Sequence, residues 1–416
     1  MTDSIFGSAV PIDVAIIGGG PSGLSAAIEL KRLGILRVVV LERESEAGGI
    51  PRHCGHPPFG MREFKRILTG PAYAKKLVAT AIAAGVEIHV LTTVVEANPN
   101  GELLILTAKG VRNIMPRRVI YATGVRERPR SARMISGDRV AGILNTGALQ
   151  SMIYLKGARP FKRPVIIGTE LVSFSAIMTC RHAKIKPVAM IEENPHPTAR
   201  FPSSLFPRLV GVPFHLNTKL LSIKGTKQVE AVEVETNGQC REIECDGVIL
   251  SGNFTPEASL ARCGHLSVDP ATGGPLVDQL GRCSDPAYFA TGNLLRPVET
   301  AGWCWNEGRL TGRLVAEDLA ETLGRFNQQM HVLIEGAQVK YAMPQTIRLP
   351  LSKGMKDLQL RFNKSASGVL VARNGGEIVY RRTMTTHPER RVLVPLNEIT
   401  NNCDSGELQL VFEERS

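Results

Sequence analysis

The sequence predicts an α/β protein with two Rossmann-like dinucleotide-binding domains, the second inserted into the first, followed by a small all-β domain. Three observations predict it. Residues Asp13 to Glu42 read as a complete strand–turn–helix–strand unit with a glycine-rich turn. Residues Arg163 to Glu193 repeat that grammar, and from about residue 335 short runs alternate apolar and polar residues between turn signals. A chain of 416 residues is long enough for two or three domains, each with its own core. The expected boundaries are 1–125 with 254–330 for the first domain, 126–253 for the inserted one and 335–416 for the last.

The first unit carries the most chemistry. Val14 to Ile17 is an apolar run suited to a buried parallel strand, and Gly18, Gly20 and Gly23 follow it as G-x-G-x-x-G. The first glycine permits the tight turn, the second lets the backbone approach a pyrophosphate, and the third lets helix and strand pack closely. The helix that follows points its positive end at the phosphates. Glu42 ends the second strand, where its carboxylate can accept hydrogen bonds from an adenosine ribose.

Composition narrows the class further. Hydrophobic residues make up 43% of the chain, yet no apolar run approaches the ~20 residues of a membrane helix. Met1 to Pro11 lack the basic-then-apolar pattern of a signal peptide, so a cytoplasmic location is expected. The eight cysteines are scattered with no C-x-x-C, which argues against a disulfide framework and against a metal or iron–sulfur site. The net charge of +11 comes from Lys and Arg that are dispersed rather than striped. A solvated basic surface, without a nucleic-acid partner, is the expectation.

After β-rich stretches at Glu87–Val94 and Leu103–Thr107, Arg118-Val-Ile-Tyr-Ala-Thr-Gly124 reads as a buried strand ending in a small-residue turn. Ala287-Tyr-Phe-Ala-Thr-Gly-Asn293 repeats that pattern and leads into a helical stretch, Thr300–Leu323. On these residues the chain resembles the two-dinucleotide-binding flavoproteins, the superfamily of thioredoxin and glutathione reductases, over roughly residues 12 to 325. The resemblance implies FAD on the first unit, held by Gly18, Gly20, Gly23, Glu42, Gly49, Gly124, Gly292, Asn293, Thr300 and Ala301. The helix starting near Glu299 is then expected to aim its N-terminal amides at the pyrimidine edge of the isoalloxazine. Asn293 stands where that family usually has an aspartate; an amide still hydrogen-bonds a ribityl hydroxyl. Trp303 and Trp305, the only tryptophans, either wall the flavin or pack the helix on its sheet.

The inserted domain departs from the pattern. Gly168 persists in Arg163-Pro-Val-Ile-Ile-Gly-Thr-Glu, but Glu170 and Ser173 take the second and third glycine positions. A carboxylate at the second position blocks and repels a pyrophosphate, which predicts a degenerate NAD(P) site, although Glu192 would still suit a ribose. The reductases' paired cysteines are also missing, since Ala47 to Gly60 hold only Cys54. Either Cys54 is a single redox thiol whose pKa is lowered by His53 or His56, or the loop lays an imidazole against the flavin. Arg52, His53, Cys54 and His56 are the candidate catalytic residues.

Gly48-Gly-Ile-Pro-Arg-His-Cys-Gly-His56, Ala122-Thr-Gly-Val-Arg-Glu-Arg-Pro129 and the segment 292–308 are similar to the flavoprotein α-subunits of opine oxidase, hydroxyproline dehydrogenase and hydrogen cyanide synthase. That resemblance implies an FAD-dependent dehydrogenase acting on a small amine, amino acid or related hydroxy substrate. Electrons would pass to a second flavoprotein or iron–sulfur subunit, or to another carrier; a homo-oligomer is the alternative assembly. Two rivals are an NAD(P)H-dependent flavin reductase or peroxidase using Cys54, and a non-catalytic FAD-binding assembly subunit. Those α-subunits often carry a cysteine-rich iron–sulfur motif near the C-terminus, whereas only Cys403 lies beyond Cys304 here. The last domain, with strands expected near Asp357, Gly368, Glu377, Arg391 and Glu407, reads as a sandwich without a catalytic constellation, and so as a docking module. Pro344–Gly354 reads as a linker, and Arg381–Arg382 and Arg390–Arg391 as basic docking pairs or solvated turns.

Overall fold

The structure, a computed structural model, describes residues 11–199, 203–388, 390–401, 403 and 406–415. Residues 1–10, which carry most of the leader-peptide reading, lie outside the described residues.

In the first unit, β1 (Val14–Ile17) and β2 (Val38–Leu41) are joined by α1 (Pro21–Arg32) and lie in a five-stranded parallel sheet. Its order is 288–290, 118–121, β1, β2, 87–89, so strands far apart in sequence close on the first unit. Every residue of β1 and β2 is buried, as a sheet covered on both faces requires. Ile16, Val38 and Val40 pack with Leu24 and Leu30 of α1 and with Tyr73 and Leu77 of α2 (Gly70–Ala83). Ala15, Ile17 and Leu41 face the other way, onto Leu103 and Ile105 of a small antiparallel sheet.

The chain leaves this unit through Val125–Glu127 and returns through Phe254–Pro256, which pair antiparallel as a two-stranded link. Between them lies a second parallel sheet, order 143–145, 247–250, 164–167, 189–191, 214–215. α3 (Thr146–Lys156) and α4 (Leu171–His182) pack against it. After the return, α5 (Ala301–Leu319) lies beside α1.

The last domain is a sandwich of a five-stranded and a three-stranded sheet around Met330, Leu358, Leu360, Phe362, Leu370, Leu408 and Phe412. It begins earlier than expected, because Gln328–Glu335 is already one of its strands. The expected linker is corrected too. Thr346–Leu349 is a strand of the larger sheet, with Ile347 and Leu349 buried in the domain core. Pro344 and Pro350 bracket it closely enough to read as breakers, but neither occupies a ladder position. The same strand is pinned to the first unit: Arg348 pairs with Asp278 at 2.7 Å, and Gln279 donates to the Arg348 carbonyl at 2.7 Å.

Candidate functional site

The turn after β1 is shaped for a dinucleotide. Gly18 has φ +106°, and a Cβ there would sit 2.6 Å from the Ala122 carbonyl oxygen. A Cβ on Gly23 would clash with the Gly18 carbonyl, so this glycine seats α1 on the strand. Gly20 differs from both. Among the described residues beyond its own chain neighbours, the only atom within 4 Å of its Cβ position is the Gly49 Cα, at 4.0 Å. The space beside it is open, as an approaching pyrophosphate requires. α1 begins there with no side chain capping it and no acid in its first turn, so its amides and positive end face that space. Gly48 closes the far side by donating to the Gly19 carbonyl at 2.7 Å, and Gly49, at φ +63°, lies against Gly20. Glu42 is buried and oriented by the amides of Gly19 at 2.9 Å and Glu44 at 3.0 Å.

α5 extends this cradle. A Cβ on Gly308 would strike the Ser22 carbonyl and one on Gly312 would lie 2.6 Å from that of Ala26, so α5 and α1 run parallel at close approach. Gly308 lies beside Ser22, and the seven residues back to Ala301 therefore carry the start of α5 about 10 Å beyond the phosphate turn. Gly292, at φ +74°, places the preceding turn against Ser22. Asn293 braces the loop that follows: its Oδ1 accepts from the Glu299 amide at 2.7 Å and its Nδ2 donates to the Glu299 carbonyl at 3.0 Å. Thr300 then stands at the N-terminal cap position of α5 in an extended conformation, without a side-chain hydrogen bond to the helix, and no acid stands in the first turn. Thr291 Oγ1 and Arg52 Nε are buried without a partner among the described residues. An open cradle beside a glycine, unshielded helix amides and orphaned polar atoms fit FAD. Gly124, at φ +73°, leaves open space at the end of its strand.

The loop with the catalytic candidates starts as a 3₁₀ turn, Ile50–His53. Arg52 lies 3.3 Å from Glu46. Burial, aided by the Arg52 guanidinium, pushes the His53 imidazole down to about 4, so it is neutral at pH 7. The expectation of a lowered Cys54 pKa is corrected. Its thiol is buried, is pushed up to about 12 by burial, and donates to Gln150 Oε1 at 3.4 Å. Gln150 Nε2 lies 2.7 Å from Ser175 Oγ, which lies 2.6 Å from His56 Nε2. Cys54 and His56 thus face α3 and α4 and tie the loop to the inserted unit, while His53 stays outside that chain of bonds.

In the inserted unit, side chains stand at two of the positions where the first turn has glycines. The Glu170 carboxyl lies against Gly252, at φ +69°, and accepts from the Asn253 amide at 3.2 Å. Ser173 is fully buried and bonds Ser251 Oγ at 2.9 Å. Glu192 accepts from the Thr169 hydroxyl and from the Asn194 amide at 3.1 Å. Sequence reasoning missed Glu127, in the link, which accepts from the amides of Gly147 at 2.8 Å and Gly252 at 3.0 Å. Burial raises its pKa from 4.5 to about 7. The folded state therefore holds a proton that the unfolded chain releases above about 4.5, and stability falls as pH rises through that window. Wild type is expected to lose about 2–3 kcal/mol relative to Glu127→Gln between pH 5 and 8, read from urea unfolding at each pH.

The last domain also reaches the site. Arg296, fully buried, pairs with Glu307 of α5, donates to the Gly292 carbonyl at 3.2 Å and to Gln359 Oε1 at 3.0 Å. Arg391 donates to the same Gln359 oxygen at 3.0 Å. Arg361 pairs with Glu299 at 3.1 Å, and the Tyr341 hydroxyl donates to the Pro297 carbonyl at 3.1 Å. Trp303 lies between Arg62, 4.2 Å from its ring centre, and Arg391 at 4.3 Å. Trp305 instead packs towards α1. Arg391, expected in a surface pair, is turned inward. The basic residues of this domain gave no sequence signal of that, since the contacts join positions some 60 to 90 residues apart.

Residues 12–308 match the pyridine nucleotide-disulphide oxidoreductase family. The alpha subunit of sarcosine oxidase from Rhizobium meliloti (strain 1021) is 25% identical over 263 residues, covering 60% of this chain and 25% of that protein. A subunit of opine oxidase from the same strain is 26% identical over 182 residues, covering 43% and 38%. The chain thus spans about a quarter of the first relative and two fifths of the second. The structure of T. acidophilum thioredoxin reductase superposes with a TM-score of 0.63 at 23% identity, over 74% of this chain and 98% of that one, so the two share a fold. These findings bear out the resemblance read from the sequence. With the cradle, the return turn and the start of α5 all inside the matched span, the chain belongs to the pyridine nucleotide-disulphide oxidoreductase family and is an FAD-binding oxidoreductase.

Proposed function

We propose that the chain is the flavin subunit of a dehydrogenase that oxidises the carbon–nitrogen bond of a small amine or amino acid and passes the electrons to another subunit or carrier. The observation that supports this reading is Glu170, whose carboxyl stands at the second position of the inserted unit's turn, against Gly252 and the Asn253 amide. The similarity to sarcosine and opine oxidase subunits supports an amine as the substrate and, for the partner, a second flavoprotein or an iron–sulfur subunit. The buried, protonated Cys54 disfavours the peroxidase rival, because a thiolate is the reactive form.

FAD, when bound, supplies the acceptor for a hydride equivalent. Gly20 and the start of α1 hold its pyrophosphate, and Glu42 its adenosine ribose. The amides at the start of α5 stabilise negative charge that develops on reduction. An amine must lose its ammonium proton before its neighbouring carbon can release a hydride. In this reading the ammonium proton leaves to solvent, and a ring nitrogen of His53, neutral at pH 7 and too weak a base to take that proton itself, accepts a hydrogen bond from the substrate nitrogen and orients it. Arg52, beside it, disfavours the imidazolium and so keeps the ring nitrogen free to accept a hydrogen bond.

The test is anaerobic reduction of the FAD-loaded protein, with its partner present, by sarcosine, proline and N-carboxyalkyl amino acids. At least one should bleach the flavin with saturation kinetics, and His53→Leu should slow that phase by about tenfold, the scale of one lost hydrogen bond. Absence of bleaching by every amine, in protein that dithionite reduces fully, would contradict the reading.

A further inference from the structure

Glu299 is the one carboxylate next to the cap of α5, on the stretch where the amides of that helix open toward the cofactor. Left uncompensated, its charge would oppose the positive end of the helix and disfavour electrons arriving on the flavin. Both groups that pair with it come from the last domain. Arg361 Nη2 lies 3.1 Å and Arg391 Nε 3.7 Å from Glu299 Oε1, and the three side chains are each only about a tenth exposed. Arg296 pairs with Glu307, which Arg391 Nη1 also approaches at 3.6 Å, so three guanidiniums meet two carboxylates and the cluster keeps a positive surplus. Arg391 also stacks on Trp303, in the first turn of α5, so its position is tied to the helix by two contacts. Gln359 holds both Arg296 and Arg391 through one oxygen, at 3.0 Å each.

We propose that the last domain is a tuning element of the redox centre: Arg361 and Arg391 reach across to neutralise Glu299 at the start of α5 and thereby raise the reduction potential of the flavin. They are positioning residues, acting through Glu299 and the helix. The inference rests on the FAD reading but not on the identity of the substrate. It also changes the part assigned to the β domain, since a module that only docks a partner has no reason to bury two arginines against the flavin unit.

The test is equilibration of the purified FAD-loaded full chain with a reference dye during slow enzymatic reduction, read from the two absorbance bands. In the double variant Arg361→Gln, Arg391→Gln the equilibrium should move about tenfold toward oxidised flavin, the scale of one charge left uncompensated in a partly buried site. Adding Glu299→Gln to that variant should reverse about half of the shift, because it restores one of the two charges removed. Glu299→Gln alone should move it the opposite way. An unchanged equilibrium in the folded double variant, or a shift that Glu299→Gln does not partly reverse, overturns the proposal. If the double variant loses FAD, the single Glu299→Gln decides: no shift toward reduced flavin overturns it. Wild type that takes up no FAD would be a failure of the cofactor assignment instead, and is distinguishable at the first step.

Discussion

Gly20→Leu is expected to give a folded protein without flavin. The backbone there is extended (φ −82°, ψ −175°), a conformation open to any residue, and among the described residues beyond its own chain neighbours only the Gly49 Cα comes within 4 Å of the Cβ position. A Cβ there makes no clash, and a leucine side chain is expected to extend into the space beside the first amides of α1. Displacing a pyrophosphate from two such charge-assisted hydrogen bonds costs roughly 3 kcal/mol or more, so FAD affinity should fall at least about 100-fold. Gly23→Ala should behave differently. Its methyl group would strike the Gly18 carbonyl, so the damage is to the fold itself and should appear as a lowered unfolding midpoint. Flavin absorbance after gel filtration, alongside far-ultraviolet circular dichroism, separates the two outcomes. A Gly20→Leu protein that stays yellow would show that the cofactor does not pass this turn.

The second large effect concerns the buried pair beneath the start of α5. Arg296→Met should lower stability by about 3 kcal/mol, the low end for a broken buried pair, because Glu307 keeps only the longer 3.6 Å contact with Arg391 while Gln359 and the Gly292 carbonyl each lose a donor. That is a large share of the ~5–15 kcal/mol typical of a folded domain. Urea unfolding should show it as a shifted midpoint. Replacing both partners, as Arg296→Met with Glu307→Leu, should restore much of the loss, since an apolar pair leaves no buried charge. A single variant within about 1 kcal/mol of wild type would mean that the pair contributes little to holding the last domain on the flavin unit.

The parts of this molecule legible in the sequence are those set by short-range pattern. The apolar runs of β1 and β2 and the glycines between them specify strand, turn and helix within thirty residues, and the second sheet follows the same rule at Pro164–Ile167 and Ala189–Ile191. Glu170 and Ser173 could be judged unfavourable to a nucleotide from their side chains alone. What the pattern could not carry was partnership across the chain. Cys54 beside two histidines left an activated thiol and a loop laid against the flavin both open; its neighbours in space are Gln150 and the helices of the inserted unit, which bury it. Arg391 followed another arginine in a polar stretch and looked solvated, but Trp303 and Glu299 lie opposite it. Thr346–Leu349 was hidden between two prolines that normally signal a connection. Glu127 sits in a motif that was recognised, but its raised pKa follows from amides contributed by two other segments.

The most direct test of the account is stopped-flow mixing of the FAD-loaded protein with NADH and with NADPH in the absence of oxygen. With Glu170 seated against Gly252 and Ser173 buried on Ser251, flavin reduction by either nucleotide should be slow and should rise in proportion to concentration without saturating in the millimolar range. Fast reduction that saturates at micromolar nucleotide would contradict the claim that this chain takes its electrons from a substrate other than a nicotinamide.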